Sequence, residues 1–344
     1  MKILVTGGAG FIGSHVCEYY SKKGAQVIAF DNMIRAKLLG KAKANTSYNW
    51  NYLKTLKNVK RIHGSVIDMN ALKSAMKNVH AVVHTAGQTA VTTSVIKPAL
   101  DFQINAAGTF NVLEAARQIK KSPMVVLCST NKVYGENVNQ VPIREQKTRY
   151  IFSGKYSRGI PENFGVDLCE HTPYGCSKLT ADIYAQDYAR LYGLKVGVFR
   201  MSCIYGTRQF GVEDQGWLAW FIIAAVTGKP LTIFGTGKQV RDVLWVGDLV
   251  RAYDAFIQSK HSHGVFNMGG GSENTLSLIE LLGLLKEQNL IPKIKFSKWR
   301  PSDQKVYVSD IRKAGKLLKW TPEINPGMGV VQLTDWVQKH KNLF

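Results

Sequence analysis

Tyr174 and Lys178 stand four residues apart in YGCSK. On a helix that spacing stacks both side chains on one face. A free phenol titrates near ~10. A neighbouring ammonium favours the phenolate and lowers that value, as does the positive ring of an oxidised nicotinamide. A phenolate so placed can take the proton of an alcohol while a hydride leaves the same carbon. Thr130 ends the apolar run MVVLCST and offers a hydroxyl to hold the reacting oxygen. YxxxK alone is common by chance, so the rest of the chain must support it.

The support comes from TGGAGFIG, which places Gly7, Gly10 and Gly13 between an apolar run and a helical pattern. Glycines there permit a tight turn and bring the backbone close to a pyrophosphate, which the helix N-terminus favours. Asp31 closes the next apolar run, AQVIAFD. A carboxylate at that place can bond both hydroxyls of an adenosine ribose and repels a 2′-phosphate, so NAD is expected over NADP. Arg35, close behind, is the residue that pulls the other way.

These side chains need strands and helices to hold them. KILVTG, AQVIAFD, AVVHTAG, MVVLCST and KVGVFRM read as strands. GFIGSHVCEYYSKKG, DFQINAAGTFNVLEAARQIK and YGCSKLTADIYAQDYARLYG read as helices between them. The alternation predicts an α/β fold with a doubly wound parallel sheet. Ligands in such sheets bind at the carboxyl edge, where Thr130 lies. After about Tyr205 the pattern loosens. The expected division is a nucleotide-binding domain over residues 1–200 and a smaller mixed α/β domain over 201–344, with some segments interleaved. NTSYNWNYLKTL and EQKTRYIFSGKYSRGIPENFG read as long loops. Asn274-Thr275 is the expected cap of the helix TLSLIELLGLLKEQ.

The chain has 344 residues and a formal charge of +21. Such charge attracts anions, whether nucleic acid, a membrane surface or a phosphorylated substrate. The lysines are scattered, however, with no block of five and no basic stripe with interleaved aromatics. That pattern reads as composition and solubility, and no nucleic-acid partner is expected. The longest apolar run, GWLAWFIIAAVTG, suits a buried helix rather than a membrane span. The start MKILVTGG is too short in apolar residues for a signal peptide. The five cysteines form no CxxC pair, which fits a reduced, cytoplasmic setting. Cys176 has no activating His or Asp by spacing and reads as packing. No metal site is read.

TGGAGFIG, FDN, HTAGQ, INAAGTFNVLEAAR, STNKVYG and YGCSK together resemble the extended short-chain dehydrogenase/reductase family, which includes nucleotide-sugar epimerases and dehydratases. VFNMGGGSENTLSLIELL and WTPEINPGMGV extend the likeness over nearly the whole chain. The resemblance implies a Rossmann fold, tightly held NAD, a homodimer built on two long helices per subunit, and a nucleotide sugar in the second half. It implies Thr130, Tyr174 and Lys178 as the catalytic set. For the cofactor it implies Gly7, Gly10, Phe11, Ile12, Gly13, Asp31, Asn32, Ser65, Val66, Thr85, Ala86, Gly87, Asn105 and Met201, with Tyr174 and Lys178.

Family dehydratases typically read Ser-Thr-Asp-Glu at the end of the fifth strand, and those acids expel a hydroxyl. Here Asn131 and Lys132 stand in their place. An amide is no acid at neutral pH, so oxidation and reduction of one carbinol remain, which is all an epimerase needs. STNKVYG, IFSGKYSRGI, TPYGCSK, RMSCIYGTRQFGVEDQGW and GKQVRDVLWVGDL are similar to the branch that inverts C2 of a CDP-hexose. That likeness implies Arg241 and Arg300 on the diphosphate. It places Gln88, Asn131, Lys132, Arg208, Gln209, Gln215 and Trp217 by the nucleotide or its sugar. The family's Gly-Asp after the third strand is Gly64-Ser65 here, and many sugar epimerases carry Asn at the position of Cys203. A UDP-sugar 4-epimerase, a GDP-sugar 2-epimerase, a net-redox dehydrogenase and a non-catalytic binding relative stay open beside this reading.

Overall fold

In a computed structural model, residues 1–35, 47–300 and 303–344 are described. They form two compact units that alternate along the chain. The first takes Met1–Val133, His171–Arg200 and Val250–Phe266; the second takes Tyr134–Glu170, Met201–Leu249 and Asn267–Phe344. The boundary expected near residue 200 is one of five crossings, and residues 134–170 and 250–266 are the interleaved segments.

The first unit is organised by strands β1 (Lys2–Thr6), β2 (Gln26–Asp31), β3 (Val59–His63), β4 (Ala81–His84) and β5 (Met124–Thr130). The second unit contributes β6 (Ile143–Glu145) and β7 (Tyr150–Phe152), an antiparallel pair. Next in the chain come β8 (Val196–Met201), β9 (Cys203–Tyr205), β10 (Leu231–Phe234), β11 (Val240–Trp245) and β12 (His263–Met268). β13 (Thr275–Ser277), β14 (Ile294–Ser297) and β15 (Val306–Tyr307) complete the set. The main sheet runs in the order β12-β8-β5-β4-β1-β2-β3. The pairings from β3 to β5 are all parallel. This is the doubly wound Rossmann order. Both sheet faces are covered, so β1 and β4 are apolar at nearly every position rather than alternating. Buried Leu4, Val82, Leu113, Leu127 and Val198 share one core. Each such side chain contributes about 1.5–3 kcal/mol by leaving water.

The helices follow local chemistry. α1 (Phe11–Lys22) opens at Gly10 without a side-chain cap. α2 (Tyr48–Lys54) occupies part of the segment expected as a loop; Asn45 and Thr46 of that segment lie outside the described residues. Its Leu53 is fully buried, and that anchor decides for helix over loop. α3 spans Met69–Ala75 and α4 spans Val91–Ile96. The long helix expected from DFQINAAG is three pieces: α5 (Pro98–Phe102), a π-turn over Gln103–Ala107, and α6 (Gly108–Arg117). Thr109 Oγ1 donates to the Asn105 carbonyl at 2.6 Å inside the turn. A hydroxyl that takes a backbone carbonyl competes with the regular ladder, and helical periodicity in the sequence does not register it. α7 (Thr172–Tyr192) starts with Pro173 in its first turn and stops at Gly193, whose φ is +66°.

The second unit has its own core, with Tyr205, Phe221, Ile222, Leu281 and Leu333 among its members. β11 is central to a four-stranded sheet, with β13 and β9 or β15 beside it. α8 (Trp217–Thr227) is the apolar run foreseen as a buried helix. Among the described residues no helix is long and apolar enough to cross a membrane. α9 (Val246–Gln258) follows β11. α10 (Leu278–Glu287) is capped not by Asn274-Thr275 but by Ser277, in a capping box with Glu280. Thr275 instead belongs to β13. α11 (Arg312–Leu318) and α12 (Pro326–Lys339) close the chain.

Candidate active site

Thr130 ends β5, and Tyr174 and Lys178 sit in the first turns of α7, so one edge of the main sheet gathers all three. All are buried. The Thr130 hydroxyl lies close enough to the Tyr174 phenol to favour its ionised form. It also accepts the Lys132 amide at 3.2 Å and reaches Asn131 Oδ1 at 3.3 Å. Tyr174 N–H is anchored to Ser94 Oγ at 3.1 Å, and Ser94 is fully buried in α4. Lys178 Nζ donates to the Cys128 carbonyl at 2.6 Å.

The electrostatics depart from the expectation for Tyr174. Burial pushes its phenol up to about 12, the Thr130 hydroxyl acting against that and the Asp101 and Cys128 charges adding to it. The same burial pushes the Lys178 ammonium below its ordinary value. With both groups out of water, desolvation is the largest influence on each. The chain by itself thus holds Tyr174 as a neutral phenol at pH 7.

The glycine loop fits a dinucleotide. Gly7 has φ +71°, and a Cβ there would lie 2.6 Å from Ala86 N. A Cβ on Gly13 would lie 2.1 Å from the Gly7 carbonyl oxygen. The turn is therefore closed to a side chain at Gly7 and Gly13, and it leads into the uncapped start of α1 at Phe11 and Ile12. Thr85 Oγ1 locks β4 to this turn, donating to the carbonyls of Thr6 at 2.7 Å and Gly7 at 3.2 Å. Asp31 is held by backbone amides, Ala9 N–H to Oδ2 at 3.0 Å and Met33 N–H to Oδ1 at 2.7 Å. Each oxygen keeps a lone pair for a ribose hydroxyl. Burial raises the Asp31 carboxyl above its ordinary value. Asn32 Nδ2 reaches Ser65 Oγ at 3.4 Å, which ties the end of β2 to the loop after β3. Val66 is in the core and presents its carbonyl to Asn111 Nδ2. Met201 ends β8 and opens a segment of the second unit.

Two expected contacts are differently engaged. Gln88 is turned into the protein: its Nε2 donates to the Ala90 carbonyl and to Asp101 Oδ1, each at 2.8 Å. It does not face an open pocket, because the buried Asp101 carboxylate draws its amide inward. Asn105 is fully buried, and its amide is spent on Gln88, Asp101 and Ser177. It shapes the loop at Gly87 from behind rather than reaching outward. Cys176, read as packing, is exposed. It lies two residues from both Tyr174 and Lys178, on the opposite side of α7.

Sequence reasoning missed three residues here, namely Asp101, Ser177 and His84. His84 accepts from Thr6 Oγ1 at 2.6 Å and donates to Thr109 Oγ1 at 3.0 Å, a direction set because the Thr109 hydrogen goes to Asn105. Burial and the Lys178 charge push its imidazole down to about 3. The ring is therefore neutral at pH 7 and ties β1 and β4 to α6. Only the helical spacing of DFQIN could have drawn attention to Asp101.

In the second unit, Trp217, Arg241 and Arg300 line one pocket with Trp220, Phe234 and Asp303. Arg300 lies over the Phe234 ring at 4.7 Å and pairs with Asp303 at 3.2 Å and Asp214 at 3.6 Å. Burial lowers the Arg241 guanidinium below its ordinary value, and its Nη1 donates to the Val240 carbonyl at 2.8 Å. Trp217 meets Phe221 edge to face. Arg208, Gln209 and Gln215 lie on the loop before α8. Arg208 is buried at φ +60°, Gln209 Nε2 donates to the Ile204 carbonyl, and Gln215 exchanges two backbone bonds with Val212.

Residues 3–269 match the model of the NAD dependent epimerase/dehydratase family. The chain belongs to that family. Members with known names set its class further. It is 40% identical to the CDP-paratose 2-epimerase of Salmonella typhi, over 98% of this chain and 99% of that one. The UDP-glucose 4-epimerase of Thermotoga maritima, solved with UDP-glucose, is 30% identical with a TM-score of 0.80, over 98% and 99% of the two chains. The UDP-glucuronic acid 4-epimerase of Bacillus cereus, solved with UDP-glucuronic acid and NAD, is 26% identical with a TM-score of 0.82 over both whole chains. This epimerase/dehydratase family member is thus an NAD-dependent nucleotide-sugar epimerase, an isomerase.

Proposed function

We propose that the protein inverts C2 of a CDP-hexose of the paratose/tyvelose type through a transient 2-keto sugar. The observation that carries this is the end of β5, where buried Thr130 closes the strand near the buried Tyr174 phenol and the next two residues are Asn131 and Lys132. That edge has a proton acceptor for a carbinol and no carboxylic acid to expel a neighbouring hydroxyl.

Thr130 holds the reacting oxygen, and Tyr174 takes its proton. NAD, when bound, would supply the acceptor and then the donor of the hydride of that carbon. Gly7, Gly10 and Gly13 with the start of α1 hold the pyrophosphate, and Asp31 holds the adenosine ribose. Lys178, buried and cationic, keeps positive charge beside the phenolate while it carries no proton. When the ketone has turned, Tyr174 gives the proton back to the new alkoxide. Asn131 orients Thr130, and Lys132 serves the sugar. In the second unit, Arg241 and Arg300 grip the diphosphate, with Arg300 exchanging Asp303 and Asp214 for phosphate oxygens.

The choice of CDP and of C2 rests on the similarity to the Salmonella typhi enzyme and on the substrate-half strings quoted above. The test is proton NMR of the purified protein with CDP-paratose in deuterated water, without added NAD. Inversion at C2 with hydrogen retained at that carbon is expected. Deuterium at C2 would remove the redox cycle. Reaction with UDP-sugars but not CDP-sugars would keep the cycle and overturn the nucleotide.

We also propose a homodimer through the α6–α7 face. Phe110, Ile183, Tyr184 and Leu191 are exposed there, Ile183 at 52% and Tyr184 at 44%. Apolar groups clustered on one face mark an interaction surface. Ile183→Glu with Tyr184→Glu is expected to sediment as a monomer where the wild type sediments as a dimer. A wild-type monomer at micromolar concentration would sink the assembly.

A further inference from the structure

We infer that Asp101 is a positioning residue of the reaction, a buried carboxylate that clamps the catalytic turn of α7 to the loop after β4. This rests on the reading of Tyr174 as the proton acceptor. Asp101 is 1% exposed and ends up facing donors only. Ser177 Oγ donates to its Oδ2 at 2.5 Å. Gln88 Nε2 and Asn105 Nδ2 reach its Oδ1 at 2.8 and 3.1 Å. The ring closes on itself, because Asn105 Nδ2 also reaches Ser177 Oγ at 3.1 Å and the Gln88 carbonyl at 3.0 Å. Gln88 N–H answers to Asn105 Oδ1 at 2.9 Å.

The position of this ring matters. Ser177 lies between Tyr174 and Lys178, and its hydroxyl also reaches the Tyr174 carbonyl at 3.1 Å. Gln88 follows Thr85-Ala86-Gly87, the segment that packs on the glycine turn. One carboxylate therefore sets the height of the catalytic helix against the cofactor cradle. It also acts at a distance as a charge. The groups facing Tyr174 are Thr130, Asp101 and Cys128; those facing Lys178 are Cys128, Asp182, Asp101 and, across β4, His84. Among them Asp101 opposes the phenolate and favours the ammonium. No cation lies within ion-pair distance of it among the described residues, so the carboxylate depends on neutral donors, a costly arrangement where nothing is gained. The three donors converge because the π-turn rotates Asn105 inward, four residues from Asp101.

Two variants separate clamp from charge. Asp101→Asn keeps the shape and removes the charge. Ser177→Ala keeps the charge and opens the clamp. The first readout needs no substrate: the titration midpoint of Tyr174, followed by the Cζ shift in NAD-loaded protein with 13C-labelled tyrosine and assigned with Tyr174→Phe. Asp101→Asn is expected to lower that midpoint by about one pH unit, as loss of a nearby like charge does. Ser177→Ala is expected to leave it in place. The second readout is turnover of CDP-paratose. Both variants are expected to lose about 10-fold or more in kcat with little change in KM, as misplacement of a catalytic group does. An unmoved midpoint in Asp101→Asn overturns the inference, and so does wild-type kcat in Ser177→Ala. If Asp101→Asn does not fold, Ser177→Ala alone decides by its kcat. Failure of the Tyr174 reading itself would show separately, as wild-type turnover in Tyr174→Phe.

Discussion

Tyr174→Phe is expected to cut turnover by about 10²–10⁴-fold, the usual worth of a positioned acid–base group. NAD should stay bound. The phenol ring packs in a buried turn and its backbone is tied to Ser94, so phenylalanine fits without disturbing α7. What is lost is the one atom that can take a proton at the end of β5. The pH dependence follows from the same burial. The chain alone pushes this phenol up to about 12, above its ordinary value of 10. A group with a raised pKa is protonated until the pH climbs through that value, so the rate should rise with pH on its acid limb. Positive charge brought by the oxidised cofactor moves that limb to lower pH. Tyr174→Phe should erase the limb as well as the rate. A variant that retains near wild-type kcat would falsify the assignment.

Asp182→Ala is expected to destabilise the first unit by roughly 3–5 kcal/mol, the cost of breaking a buried ion pair from one side. Arg200 is 5% exposed and faces Asp182 with two parallel bonds of 3.0 Å. Gln186 Nε2 and Ser129 Oγ add bonds of 2.7 and 2.6 Å. Removing the carboxylate leaves a guanidinium out of water without its countercharge. Total stabilities are about 5–15 kcal/mol, so the loss is a large share. It also reaches the site, because Ser129 precedes Thr130. Urea unfolding measures it. Replacing both partners, Asp182→Leu with Arg200→Met, should cost far less than Asp182→Ala alone, since no charge is then stranded. Equal costs for the single and double variants would refute the pairing argument.

Much of the fold was legible because its signals are local. The buried strands β1, β2, β4 and β5 are apolar on both faces and short, with turn residues beside them, which separates them from a buried helix such as α8. The glycine turn is readable for a related reason: a Cβ at Gly7 or Gly13 would strike backbone, so only glycine can stand there. Tyr174 and Lys178 were readable from helical spacing taken together with the glycine turn and Asp31. Less was visible where two options are locally equal. YNWNYLK in α2 is as polar as a loop, and only the burial of Leu53 and Asn49 makes it a helix. The cap of α10 went to Ser277 rather than Asn274 because Glu280 completes a reciprocal pair.

What the sequence by itself determined is the chemistry on offer: a dinucleotide turn, a phenol–ammonium pair, and a strand end without carboxylic acids. Those follow from residue type and short spacing, which act over one or two turns. Tertiary structure decided how the chemistry is held and tuned. Residues 88, 101, 105 and 177 meet only because β4, α5, the π-turn and α7 converge. The direction of the Tyr174 shift was likewise set by folding. Spacing predicts an ammonium nearby, but the loss of water around both groups is a property of the packed core, and there desolvation is the largest influence on each.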